Sequence, residues 1–157
     1  MIRAVIDTSV WIAGIFWHGP AHRVLLAWRQ GEFHIVLSPP LWDELTRKLK
    51  VKTAEFHADP DIAAEWLDVI ATVAVIVRPT EAVHVCRDPQ DDMLLEAAMA
   101  GRARYVVTLD RDLTDLCSFQ AVQILPPAVF LEVLADLQAP GTTLRERLPS
   151  YVFQPAV

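Results

Sequence analysis

Four carboxylates stand out by position. Asp7 closes the apolar run Ala4-Val5-Ile6, and Asp110 closes another, Tyr105-Val106-Val107-Thr108-Leu109. Asp92 opens the stretch Met93-Leu94-Leu95, and Glu44 lies between Leu41 and Leu45 on what reads as a helix. Two carboxylates about 4 Å apart repel by ~4 kcal/mol at an effective dielectric near 20, while a helix N-terminus returns only ~0.3–1 kcal/mol to a carboxylate such as Asp92. A cluster of such groups must be protonated, solvated apart or bound to a cation. Donors that are all oxygen, with no His or Cys at ligand spacing, favour Mg²⁺ or Mn²⁺ over zinc. An ion held this way suits phosphate oxygens, which would supply the remaining coordination.

The elements that would bring these acids together are legible in the pattern. Residues 2–6, 33–37, 73–77, 105–108 and 122–125 are short, apolar and rich in β-branched residues, as buried strands are. Between them lie helical segments: one from Val10 to Phe16, broken by His18-Gly19-Pro20; one from there to Gly31; one over 39–50, with Leu41, Leu45 and Leu49 on one face; one over 60–71; one from Asp91-Asp92 to Gly101; and one from Pro126-Pro127 to Leu137. Thr8, Ser9 and Ser38 are expected as capping hydroxyls. Residues 78–89 read as a loop with an extended piece at Val83-His84-Val85. Strands alternating with helices indicate an α/β fold with a parallel sheet. Ligands of such sheets bind beyond the carboxyl ends of the strands, where Asp7 and Asp110 are expected to sit.

Taken singly, each acid has a plainer use. Asp7 can cap the following helix. Glu44 can pair with Lys48 one turn on. Asp92 can be an N-cap beside Asp91, and Asp110 can form a turn before Arg111. The metal-site expectation rests on all four falling where one sheet gathers them.

The whole chain sets bounds. At 157 residues with 53% hydrophobic and 22% charged residues, one globular domain is expected and disorder is not. No apolar run is long enough to span a membrane, and no secretory leader is visible at the N-terminus. Cys86 and Cys117 are too few for a disulfide framework and read as buried thiols of a reducing cytoplasm. The net charge of −6 argues against a general nucleic-acid binder, though acids gathered at a metal site would lower it without covering the surface.

Four segments in this order, Val5-Ile6-Asp7-Thr8-Ser9-Val10-Trp11, Ser38-Pro39-Pro40-Leu41-Trp42-Asp43-Glu44-Leu45, Asp88-Pro89-Gln90-Asp91-Asp92-Met93-Leu94-Leu95 and Val106-Val107-Thr108-Leu109-Asp110-Arg111-Asp112, resemble the PIN-domain nucleases, in particular the bacterial toxins of toxin–antitoxin pairs. Ile124-Leu125-Pro126-Pro127 resembles the family's last strand and helix. The resemblance covers residues 1–137 and leaves 138–157 as a tail of unassigned role. It implies a three-layer α/β/α sandwich with strand order 3-2-1-4-5 and a Mg²⁺- or Mn²⁺-dependent ribonuclease. Asp7, Glu44, Asp92 and Asp110 would bind the metal, with Asp112 auxiliary. Asp91 competes with Asp92, and spacing to the following apolar residues favours Asp92. Thr8, Ser9 and Thr108 would support the acids by hydrogen bonds. An RNA substrate, a small antitoxin partner, a homodimer and a cytoplasmic location are further implications.

Arg47, Lys48, Lys50 and Lys52 could track an RNA backbone, or simply form a solvated helix end; His22, Arg23, Arg102, Arg104 and Arg111 are weaker candidates. Of Trp11, Trp17, Trp28, Trp42 and Trp66, most are expected in the core, and any left outside could stack on bases. Three rivals share the architecture. A HAD-like phosphatase needs a second Asp two residues after the first, where Ser9 stands. A receiver-type module needs an acceptor Asp after the third strand and a Lys after the fifth, where Arg78 and Pro126 stand. A non-catalytic RNA-binding module would not need all four acids.

Overall fold

The computed structural model describes residues 1–138; of the 138–157 tail left without a role by the sequence, Gln138 ends the last helix and 139–157 lie outside the described residues. The elements are β1 (Arg3–Ile6), α1 (Thr8–Phe16), α2 (Pro20–Arg29), β2 (His34–Leu37), α3 (Pro39–Glu55), α4 (Pro60–Val73), β3 (Val75–Ile76), a 3₁₀ turn (Pro89–Asp91), α5 (Asp92–Ala100), β4 (Tyr105–Val107), α6 (Arg111–Thr114), β5 (Ser118–Phe119), β6 (Val122–Leu125) and α7 (Pro127–Gln138).

The sheet runs β3-β2-β1-β4-β6-β5. All neighbouring pairs are parallel except β5 with β6. The expected order is therefore met by β3, β2, β1, β4 and β6, and β5 is an added antiparallel edge of two residues. β1 lies at the centre. Ala4, Val5 and Ile6 are buried on both faces, in register with Tyr105, Val106 and Val107 of β4. Such a strand has no solvent face, which is why it is continuously apolar. Helices cover the sheet as in a three-layer α/β/α sandwich. α5 packs along β1, β2, β4 and β6, while α1 packs on α2 and α2 on α7. Gly14 permits the α1–α2 crossing, since a Cβ there would lie 2.6 Å from Leu25 Cδ1. Gly31, with φ +81°, turns the chain out of α2 as a residue after a helix often does.

The aromatic residues divide between core and surface. Trp11 and Trp28 meet edge to face at 5.5 Å in the core, and Phe130 packs on Phe33 at 4.9 Å and Tyr105 at 5.6 Å. Trp66 is buried under the Arg29 guanidinium. Trp17 stays 55% exposed.

Several local expectations need correction. α1 starts at Thr8, not Val10, so Thr8 and Ser9 lie inside the helix and Asp7 occupies the cap position without a side-chain cap bond. Ser38 sits at the cap of α3, but its buried hydroxyl makes no hydrogen bond. No strand forms at 83–85, although Val83 is buried. Cys86 and Cys117 are half-buried rather than buried, and neither is in a disulfide. Among the described residues no helix is long and apolar enough to cross a membrane.

Candidate active site

β1 and β4 end side by side, and the chain holds Asp7 at that seam. Its backbone amide extends the ladder to Val107 O at 2.9 Å, and its carbonyl accepts from Val10 and Trp11 to start α1. The carboxyl is therefore not spent on capping. Its Oδ2 accepts from Thr108 Oγ1 at 2.7 Å and from Ser9 Oγ at 2.9 Å. Thr108 is fully buried one residue past β4, and its hydroxyl also accepts from the Asp110 amide at 3.0 Å. Ser9 Oγ accepts from the Leu109 amide at 3.3 Å. Burial pushes the Asp7 carboxyl above its ordinary value; the Thr108 and Ser9 hydroxyls pull it down, and the Glu44 charge adds to the rise.

Glu44 reaches this place from the second turn of α3. Thr8 Oγ1 donates to its Oε2 at 3.1 Å, and Lys48 pairs with its Oε1 at 2.9 Å. The local Lys48 pair foreseen from spacing thus exists, yet it does not turn Glu44 away from Asp7. Asp110 caps α6 by accepting from the Asp112 amide at 3.0 Å. Asp112 lies 4.0 Å from the Arg87 guanidinium in a largely exposed pair.

Asp91 and Asp92 have opposite surroundings. Burial, then the charges of Asp7, Asp88, Asp110 and Glu44, push the Asp91 carboxyl up to about 6. Asp92 is only 4% exposed. Its Oδ1 accepts from the amides of Cys86 at 2.9 Å and Val85 at 3.1 Å. Burial raises its pKa, but those two amides, the Cys86 thiol and His84 bring it below the ordinary carboxylate value. Burial, followed by Asp92 and the neighbouring acids, pushes the Cys86 thiol up to about 12, so it is not a thiolate nucleophile. Spacing to the apolar residues of α5 favoured Asp92 as the member facing the other acids. In the fold Asp92 braces the 85–86 segment, and Asp91 feels Asp7, Glu44 and Asp110. The 3₁₀ turn over Pro89–Asp91 causes this, because its tighter winding does not carry the helical periodicity of α5 back through Asp91. Asp88, which caps that turn through the Gln90 amide, was not singled out from the sequence.

The arrangement is a shared field of carboxylates. Among the described residues no three His, Cys, Asp or Glu side chains are drawn together as a ready-made metal-binding group. Each acid is instead held by its own neighbour: Asp7 by two hydroxyls, Glu44 by Thr8 and Lys48, Asp110 by the Asp112 amide. The donor set nevertheless fits a hard divalent ion. It is all carboxylate oxygen, and burial and mutual charge lift Asp7 and Asp91 in the direction that a bound cation would reverse.

The basic side chains of α3 do not form a common face. Lys48 is taken by Glu44, and Lys52 by Glu55 and the Phe56 ring. Arg47 and Lys50 remain exposed.

Comparison with known proteins agrees with the fold. Residues 3–112 match the family model described as PIN domain. The chain is also 27% identical over 117 residues to the uncharacterized protein MJ1680 of Methanocaldococcus jannaschii, covering 73% of this chain and 75% of that protein.

Proposed function

The chain belongs to the PIN domain family, whose fold is generally that of a metal-dependent nuclease, and on that premise we propose that it is a divalent-metal-dependent endoribonuclease. The observation that supports the proposal is that acids from four separate segments feel one another's charge: Asp7, Asp110 and Glu44 all act on Asp91, and Glu44 acts on Asp7. Asp7, Glu44, Asp91 and Asp110 are the ligands we assign to Mg²⁺ or Mn²⁺, with Asp112 auxiliary and Asp92 reassigned to bracing the loop. When bound, the ion supplies positive charge to phosphoryl oxygens and lowers the pKa of water. The chain's own residues do the positioning. Thr108 and Ser9 fix one oxygen of Asp7, and Thr8 fixes one oxygen of Glu44. Lys48 shields the other Glu44 oxygen from its neighbours.

The finer role follows the sequence resemblance: the toxin of a toxin–antitoxin pair, a homodimer, held in check by a small protein partner. The direct experiment is cleavage of labelled single-stranded RNA with Mn²⁺, set against EDTA and Asp7→Asn. Metal-dependent cutting that Asp7→Asn abolishes is the expected result. Phosphate release from a small ester without RNA cleavage would favour the HAD-like reading, and labelling of one Asp by acetyl phosphate the receiver reading. Co-purification with the product of a small neighbouring reading frame tests the antitoxin.

A further inference from the structure

We infer that Trp17 and the apolar slot beside it form a base-stacking subsite for the single-stranded RNA bound at the acid centre. The inference rests on the ribonuclease reading and adds where the strand leaves the site. The slot, about 240 Å³, is lined by Trp17, Ala13, Pro20, Leu109, Pro126 and Pro127 among others. No charged side chain lines it.

Three observations favour a nucleobase as its occupant. First, the slot borders the candidate site through Leu109, which lines it. Leu109 separates Thr108 from Asp110, and its amide is bonded to Ser9 Oγ, which is itself bonded to Asp7. Second, Trp17 is a preorganised platform. It is 55% exposed, at the end of the helix that Asp7 begins, and Phe56 meets it edge to face at 5.1 Å and 70°. An exposed aromatic ring held in place offers a stacking surface that any base can use. Third, charge decides the direction. Positions 8–31 contain no Asp or Glu but include His18, His22, Arg23 and Arg29, in a chain of net charge −6. Further acids adjoin the acid centre elsewhere: Asp88 beside Asp91, and Asp112 beside Asp110. A polyanion leaving the acid centre meets like charge at Asp88 and Asp112 and finds none along α1.

The test measures binding of a short single-stranded oligoribonucleotide in an Asp7→Asn background, and cleavage kinetics with the native Asp7. Trp17→Ala is expected to weaken binding about tenfold and raise KM to match, with kcat unchanged and little dependence on which base is present. Trp17→Phe keeps most of the affinity. In a series of RNAs with one abasic site moved along the strand, one position on one side of the cut reproduces the tenfold loss with Trp17 present and costs nothing further in Trp17→Ala. Equal affinity of Trp17→Ala and the parent overturns the inference, as does a loss unrelated to any abasic position. A change of oligomeric state on Trp17→Ala also overturns it, and assigns the surface to a second copy of the chain. RNA cleavage insensitive to Trp17 would leave the nuclease reading standing and remove the subsite. Trp17-dependent binding without any cleavage would do the reverse.

Discussion

Asp7 and Asp92 are both held by two hydrogen bonds, and they end up on opposite sides of the ordinary carboxylate pKa. At Asp7 the donors are hydroxyls, one of them from Thr108 across the β1–β4 seam. At Asp92 they are backbone amides only six and seven positions away. Burial opposes the charge at both. At Asp92 the amides, with the Cys86 thiol and His84, overcome it; at Asp7 burial outweighs the hydroxyls, and the Glu44 charge adds to the rise. The difference separates an acid that organises its own loop from one kept charged against its surroundings. The second kind is the one that gains from a cation.

That comparison breaks or sharpens under mutation. The largest effect is expected on cleavage. Asp7→Asn, Asp91→Asn and Asp110→Asn each lower the initial rate with Mn²⁺ by more than about a hundredfold, beyond the 10–100-fold typical of groups that only support a ligand, whereas Asp92→Asn keeps a rate near the parent's. Equal losses at 91 and 92 would erase the distinction.

Next comes folding stability. Asp92→Ala strands two amides and loses about 2–3 kcal/mol in urea unfolding. Asp91→Ala, measured without metal, loses nothing or gains.

Thr108→Val, which removes the 2.7 Å bond to Asp7 while keeping the shape of the side chain, lowers activity about tenfold. Ser9→Ala does less.

The smallest effect is on pH dependence. Asp91 titrates at about 6 in the folded protein, above the ~3.9 of an unfolded Asp. The unfolded chain therefore releases this proton first, and Asp91 lowers stability fully above pH ~6. As pH falls from ~6 toward ~4 that penalty is relieved, so metal-free protein gains stability there, and Asp91→Asn flattens the gain. Asp92 has the opposite sign. Its stabilisation is present above the unfolded pKa and is lost as pH falls through its depressed folded value.

Much of this was legible in the residues. β1, β2, β4 and β6 announce themselves as short apolar runs, and their order was implied by the family resemblance that the motifs carry. β5 did not, because a strand of two residues has no period to read. The positive φ values of Cys117 and Gln120 beside it occur without the glycine that would signal a turn. The start of α1 was displaced by two residues because hydroxyls read as caps. In the fold Thr8 and Ser9 bond carboxylates, Glu44 and Asp7, instead of the helix end. Spacing preferred Asp92 over Asp91 because it reads a helix and does not register the 3₁₀ turn just before α5. Trp17 could not be separated from the four other tryptophans until the fold exposed it.

Two relays join the end of β1 to the chain leaving β4. The Asp110 amide binds the Thr108 hydroxyl and the Leu109 amide binds the Ser9 hydroxyl; both hydroxyls donate to the same oxygen of Asp7, and the Asp110 carboxyl is clamped to the Asp112 amide. The backbone at Asp110 is thus tied to the Asp7 carboxyl by the polypeptide's own hydrogen bonds. Breaking either relay therefore frees the backbone that carries Asp110 as well as the carboxyl of Asp7.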